Sequence, residues 1–467
     1  MELESLQNFQ SGFPNLGRRA RRCIIERMSL AINTALRLDA ASCIAFTGAG
    51  GKTTALFQLA RSLQPPVIVT ATTHLGVWQV GLADRHIIAD SPESLIGLKQ
   101  GLKGILLVTG NMDGERTKPV NDQVIHWLHE FCRNQAIPLL IEADGARQKP
   151  LKAWAEHEPA IPAFADLIVQ VIGLSALGKT LGDENVHRAH LFSEVSGLNI
   201  GEPVTVDAVL QVLTHPDGGL KNIPAGARRV TLLNQSDTPE LQSAANGMVR
   251  PLLAVYDSVI ISSLVNREIY AVHEPVAGVI LAAGESSRYG SVKQLLDWRG
   301  EPFVRAVART ALEAGCLPVV VVTGAHEDRV EAAVQGLKVR IVHNANWQEG
   351  QSSSIRAGLV GLEGAGAAIF LLADQPQVTA SVLRALMEKH AEGLYPILAP
   401  MVMDRRANPV LFDRSTFHDL AAIQGDVGGR AIFHRHRVEY LPWQDDRLLL
   451  DVDTPEMYQR LISDDTL

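Results

Sequence analysis

At 467 residues the chain is too long for one hydrophobic core, and roughly 150 residues per domain implies two or three domains. Its 46% hydrophobic and 20% charged residues exclude a disordered or fibrous chain, and a formal net charge of -8 argues against a general nucleic-acid binder. Four cysteines without a Cys-x-x-Cys pair indicate neither a disulfide framework nor a zinc knuckle, so a reducing cytoplasm is the expected compartment. No run approaches the roughly 20 apolar residues of a membrane span, and the basic "GRRARR" at Gly17–Arg22 is followed by too short and too charged a stretch to be a signal core.

Residues 1–41 read as a polar start and a helical arm, because "CIIERMSLAINTALRL" repeats its apolar positions at helical spacing. Over 42–264, short β-branched runs ("CIAFT", "VIVTAT", "GILLVTG", "IPLLIEADG", "LIVQVIG", "RVTLLNQ", "SVIISS") alternate with helical stretches, the pattern of a mostly parallel sheet with helices on both faces. A polar stretch with a proline, 265–275, predicts a linker. A second alternating series fills 276–467. The expected fold class is α/β, with two mostly parallel-sheet domains.

Each domain opens on a glycine-rich loop between a strand and a helix. "TGAGGKTT" places Gly48, Gly50, Gly51, Lys52, Thr53 and Thr54 where backbone N–H groups and a helix N-terminus can hold phosphate, with Lys52 on the outer phosphates and Thr53 on Mg²⁺. The usual glycine five residues before the Gly-Lys pair is replaced by Phe46, which separates nucleotide binding from efficient hydrolysis. Glu142 and Asp144 end the apolar run of "PLLIEADG", where strand-end carboxylates hold a Mg²⁺ or an activated water, and Asp144 is the candidate metal ligand. "NQSD" at Asn234–Asp237 approximates an Asn-Lys-x-Asp base-reading motif with Gln235 in place of lysine, and equally fits a turn after a strand.

The second loop, "LAAGESSRYGSVKQLL", has no Gly-Lys-Thr. Small residues Ala282, Ala283 and Gly284 after Leu281 let the backbone approach a nucleotide, and Arg288 and Lys293 are spread widely enough to surround a triphosphate cut between its α and β phosphates. Asp374 ends the apolar run of "FLLADQP", where a metal can bridge it to the α-phosphate, and Asp453 of "DVDTP" is a second metal candidate or a helix cap. Ser353, Ser354 and Arg356, at the start of a helix, are candidates for base, ribose or phosphate contacts, and Asn408, Asp426 and Arg430 for the acceptor.

Through "GAGGKTT", "VTATTH", "EADGARQKPLKAWAEHEPAIP" and "VIGLSALGKTL", residues 42–264 resemble the selenium-dependent hydroxylase accessory protein family (YqeC-like). This resemblance implies a nucleotide-binding accessory role, with ATP or GTP, in maturing molybdenum hydroxylases. Residues 276–467 resemble the molybdenum cofactor cytidylyltransferases (MocA-like) through "LAAGESSRYGSVKQLL", "NANWQEGQSSSIRAGL", "LADQP", "NPVLF", "GDVGGRA" and "DVDTPEMY". The glycine loops and these resemblances together imply an N-terminal P-loop-like domain and a C-terminal Rossmann-like nucleotidyltransferase domain, and the second family's implied chemistry is Mg²⁺-dependent transfer of CMP from CTP to molybdopterin cofactor with release of pyrophosphate. Ala283 tips the nucleotide toward CTP, because related guanylyltransferases tend to carry Leu-Ala-Gly-Gly; Tyr289 stands where the family often has Met or Phe. An apo hydroxylase of the xanthine dehydrogenase type is the implied partner, with neither nucleic acid nor membrane. Two alternatives are nucleotidyl transfer to another acceptor, such as a sugar phosphate or with guanylyl instead of cytidylyl, and a non-catalytic chaperone for cofactor delivery.

Overall fold

The computed structural model describes residues 30–38, 42–285 and 292–463. Of the arm, α1 (Ile32–Ala35) is a single turn whose Ile32 and Ala35 pack into the first core.

The N-terminal sheet is built from β1 (Cys43–Gly48), β2 (Val67–Ala71), β3 (Arg85–Ile88), β4 (Ile105–Thr109), β5 (Leu139–Glu142), β6 (Leu167–Gly173), β7 (Arg228–Asn234), β8 (Ser258–Ser263) and β9 (Glu268–His273). Their order is β9-β8-β7-β6-β1-β5-β2-β4-β3, parallel throughout except for the antiparallel β8–β9 pair. The central strands β1, β2, β4, β5 and β6 are buried along their whole length, so they carry continuous apolar runs. Helix α2 (Lys52–Ser62) follows β1 after a three-residue turn, and α3 (Asp122–Gln135), capped by Asn121 on the Val124 amide, precedes β5.

Strand β9 corrects the expected linker. Residues 268–273 alternate exposed Glu268, buried Ile269, half-buried Tyr270 and buried Ala271, which is how an edge strand with one covered face reads. Only Glu274 and Pro275 separate β9 from the next sheet.

That sheet contains β10 (Val276–Leu281), β11 (Val319–Thr323), β12 (Arg340–His343), β13 (Ala367–Leu372), β14 (Ile397–Val402), β15 (Val410–Asp413) and β16 (Val438–Pro442). The order is β12-β11-β10-β13-β15-β14, and β14 also pairs with β16 and with the two-residue strand Arg405–Arg406. The β12-β11-β10-β13 half is parallel, and β15 runs antiparallel to β13 and β14. Helices α4 (Phe303–Ala314), α5 (Gln351–Leu359) and α6 (Ala380–Gly393) cover it. Both loops of interest therefore leave the carboxyl end of a central parallel strand, where α/β sheets bind ligands.

The two sheets meet through α6 and the residue that caps it: Ala391 of the helix and Leu394 just beyond it join the apolar clusters of the N-terminal half. Buried Glu274 accepts from Arg37 Nε (3.1 Å) and Arg228 Nη2 (3.3 Å), while buried Asp413 accepts from Arg37 Nη1 (3.0 Å) and His390 Nε2 (2.8 Å). Arg37 of the arm thus clasps both halves. Among the described residues, no helix is long and apolar enough to cross a membrane.

Candidate functional site

In the C-terminal half, parallel pairing of β10 with β13 brings Leu281 alongside Leu372, and the Ala373 amide donates to Leu281 O (3.2 Å). The next residue, Asp374, therefore faces the glycine-rich loop. Buried Gln294 latches that loop through Nε2 to Gly284 O (2.7 Å) and Ala282 O (3.3 Å); sequence reading missed it, although an amide in "VKQLL" is an unusual break in an apolar run. Arg288 and Tyr289 lie outside the described residues.

Two contiguous cavities share Leu281, Gln351, Leu372 and Asp374. The larger, about 640 Å³, is walled by Ala283, Gly284, Lys293, Trp347, Ser354 and Asp426. The smaller, about 340 Å³, is walled by Phe370, Phe412, Asn408, Arg430, Asp451 and Asp453. Asp374 sits at the seam. Burial pushes its carboxyl pKa up, Lys293 opposes that shift, and Asp451 and Asp453 reinforce it. Lys293 Nζ is 2.7 Å from Asp453 Oδ1.

Glutamines fix the acidic segment. Gln375 Nε2 donates to Asp451 Oδ1 (2.7 Å) and Gln377 Nε2 to Leu450 O (2.8 Å), tying the turn after β13 to the irregular segment between the 3-10 turn Asp446–Leu449 and Asp453, where the apolar "RLLLDVDTP" suggests a strand. Among the described residues no three His, Cys, Asp or Glu side chains form a ready metal cage. A buried carboxylate held toward its neutral form, with further carboxylates on the same wall, nevertheless fits Mg²⁺, which is typically bound by one or two carboxylates plus phosphate oxygens and water.

The remaining expected residues divide. Ser354 lines the larger cavity and accepts from Asn344 Nδ2 (3.1 Å). Ser353 is turned inward, donating to Gly350 O (2.8 Å) and accepting from Asn344 Nδ2 (2.8 Å), and Ala282 is buried behind the wall with its amide on Val322 O (3.0 Å). Arg356, expected at the nucleotide, lines neither cavity: it donates to Ile423 O (2.6 Å) and to Glu349 Oε2 (2.8 Å), the latter on the wall of the larger cavity, because position 356 falls on the face of α5 opposite Ser354. Asp426, expected at the acceptor, lies on the larger cavity and accepts the Gln351 amide (3.1 Å), whereas Asn408 and Arg430 do line the smaller one.

In the N-terminal half, Gly48, Gly50 and Gly51 all have positive φ, and a Cβ at Gly50 would lie 2.3 Å from Gly173 N. A cavity of about 690 Å³ opens over this turn, lined by Gly50, Gly51, Lys52, Thr53 and Thr54 and by the cationic Arg116, Arg147, Lys149 and Arg188. Thr53 Oγ1 donates to Glu142 Oε2 (3.0 Å) and accepts from Gln79 Nε2 (2.7 Å). Burial pushes the Glu142 pKa up, with Lys52 pulling against it.

Asp144 departs from its expected place as a metal ligand. It is fully buried below the cavity, accepting from Gly48 N (2.9 Å), Lys152 Nζ (3.0 Å) and Trp154 Nε1 (2.6 Å), with Lys52 Nζ 3.2 Å away. Its oxygens brace the loop instead. Glu142, on the cavity wall beside Thr53, is the carboxylate placed to meet a Mg²⁺ there.

Residues 278–440 match the family described as the MobA-like NTP transferase domain, and residues 44–190 match the YqeC protein family. The chain is 32% identical over 216 residues to the uncharacterized protein YqeC of Escherichia coli K12, covering 45% of this chain and 82% of that one. It is 34% identical over 197 residues to the nicotine blue oxidoreductase of Paenarthrobacter nicotinovorans, covering 40% and 96%. Identity to a probable molybdenum cofactor guanylyltransferase of Bacillus cereus is 29% over 133 residues, 28% of this chain and 64% of that one.

Proposed function

We propose, on the premise that the chain belongs to the YqeC family through residues 44–190 and to the MobA-like NTP transferase family through residues 278–440, that it is a molybdenum cofactor cytidylyltransferase fused to a nucleotide-dependent accessory unit. The C-terminal half transfers CMP from CTP to the terminal phosphate of molybdopterin cofactor, and the N-terminal half uses ATP or GTP in maturing a hydroxylase of the xanthine dehydrogenase type. The observation that carries the transfer reading is Asp374 at the seam of two cavities, one on the glycine-rich loop and one lined by aromatic and acceptor-type side chains.

The acceptor phosphate is already anionic at neutral pH, so an oxygen of it can attack the α-phosphorus of CTP without a strong base. One P–O bond forms to the acceptor, the bond from the α-phosphorus to the bridging oxygen breaks, and pyrophosphate carries away the electron pair. The protein's part is alignment and neutralisation of charge. Lys293, together with Arg288, neutralises the leaving pyrophosphate, and Asn408 and Arg430 hold the acceptor. Asp374, with Asp453, would hold Mg²⁺, which when bound polarises the α-phosphate. Ala283, in the loop position where the resembling guanylyltransferases tend to carry glycine, supports CTP over GTP.

The test is pyrophosphate release by the full chain with Mg²⁺ and each nucleoside triphosphate, with and without molybdopterin cofactor. CTP- and cofactor-dependent release is expected, whereas release with GTP alone overturns the cytidylyl assignment.

A further inference from the structure

The cavity over the first glycine loop and the Asn-Gln-Ser-Asp run meet at the turn after β7. Asn234 is buried and knots three segments together: its Nδ2 donates to Gly50 O (2.6 Å), while its Oδ1 accepts from the Leu264 amide (2.9 Å) and Ser262 Oγ (3.4 Å). The Ser236 amide adds a bond to Ser262 O (3.1 Å). The ends of β7 and β8 are thereby fixed against the glycine loop, which a simple turn would not require. Gln235, held at positive φ, reaches into the cavity above that loop and accepts from Ser175 Oγ (2.6 Å). Two residues on, the exposed Asp237 carboxylate is oriented by Ser263 Oγ on its Oδ1, and Ser263 is itself held by Asn266 Nδ2 (2.8 Å).

We propose that this arrangement reads the base of the N-terminal nucleotide and selects guanine, with Asp237 accepting from the ring N1–H and the 2-amino group and Gln235 lying against the ring. The inference rests on the reading of Gly48–Thr54 as a phosphate cradle and narrows it from ATP or GTP to GTP. A carboxylate only accepts hydrogen bonds, so it needs two adjacent donors on the ligand. Guanine offers them on one edge. Adenine presents an acceptor nitrogen at the same ring position, so the carboxylate repels it. The oriented pair is expected to discriminate by roughly ten- to hundredfold, the range of a bidentate side-chain contact to a base.

The experiment is displacement of fluorescent N-methylanthraniloyl-GDP from the full chain in Mg²⁺, with CTP present to fill the C-terminal cavity. On the wild type, GTP should displace the probe at roughly ten- to hundredfold lower concentration than ATP, and ITP, which lacks the 2-amino group, should fall well behind GTP. Asp237→Asn exchanges one acceptor for a donor, so it should weaken GTP and strengthen XTP, whose C2 carbonyl accepts. ATP displacing as well as GTP overturns the proposal, as does an Asp237→Asn protein that melts normally and keeps the wild-type order. The wild-type comparison of GTP with ITP decides the matter should the variant not fold. Lys52→Ala separates the two layers: probe binding indifferent to it refutes the phosphate cradle, whereas Lys52-dependent binding without base preference refutes only the base reading.

Discussion

At Asp374 a cost in stability accompanies the proposed part in the chemistry. Burial raises its pKa, so the folded chain favours the neutral acid more than the unfolded chain does. The sign follows from linkage: between the ordinary carboxylate pKa and the raised one, the native state binds more protons, and stability falls as pH rises through that window. At neutral pH an ionised Asp374 without a cation is therefore a cost, and Asp374→Asn should raise the Tm, by about 2 °C if the gain is near 1 kcal/mol. The same change should abolish pyrophosphate release and remove any stabilisation by Mg²⁺ with CTP. Calorimetry beside the release assay checks both, and a lower Tm with retained turnover would sink the argument.

At the scale of the element, α5 separates two roles that its sequence mixes. Ser354 faces the larger cavity, whereas Arg356 faces away and ties the helix to Ile423 O and Glu349. Arg356→Ala should cost stability, about 1 kcal/mol for a half-exposed charge-assisted contact, and leave the KM for CTP unchanged. A several-fold rise in KM at unchanged Tm would return Arg356 to the nucleotide. The strands and both glycine loops were legible because buried parallel strands write themselves as apolar runs and strand-to-helix turns demand glycine. Which face of α5 meets the cavity was not legible, since that depends on how the helix docks. Asp144 was misjudged for a related reason: its partners Lys152 and Trp154 follow in sequence, but only folding turns their donors back onto it. Strand β9 was hidden because its exposed face and Pro275 imitate a linker.

For the whole molecule the decisive feature is the charged seam between the halves. Arg37, Glu274, Asp413 and His390 interlock there, beside His273, whose Nε2 has no hydrogen-bond partner among the described residues. Burial, with a smaller contribution from His390, pushes the His273 pKa down to about 4. Asp413 is also depressed: burial works to raise it, but hydrogen bonds from His390 and Arg37 hold it well below the usual carboxylate range. For both groups the unfolded chain takes up protons that the folded one refuses, so stability is lost as pH falls, first through the His273 window from the ordinary histidine value to about 4, then through that of Asp413. By pH 5 the His273 share is on the order of 2 kcal/mol. Melting curves at pH 7 and pH 5 should therefore show a drop in Tm that shrinks in His273→Gln, a side chain with no proton to gain. Because the seam joins both halves, the lost increment should appear in the transition of the full chain. An equal drop in variant and wild type would assign the acid sensitivity to other groups and leave the seam without a part in it.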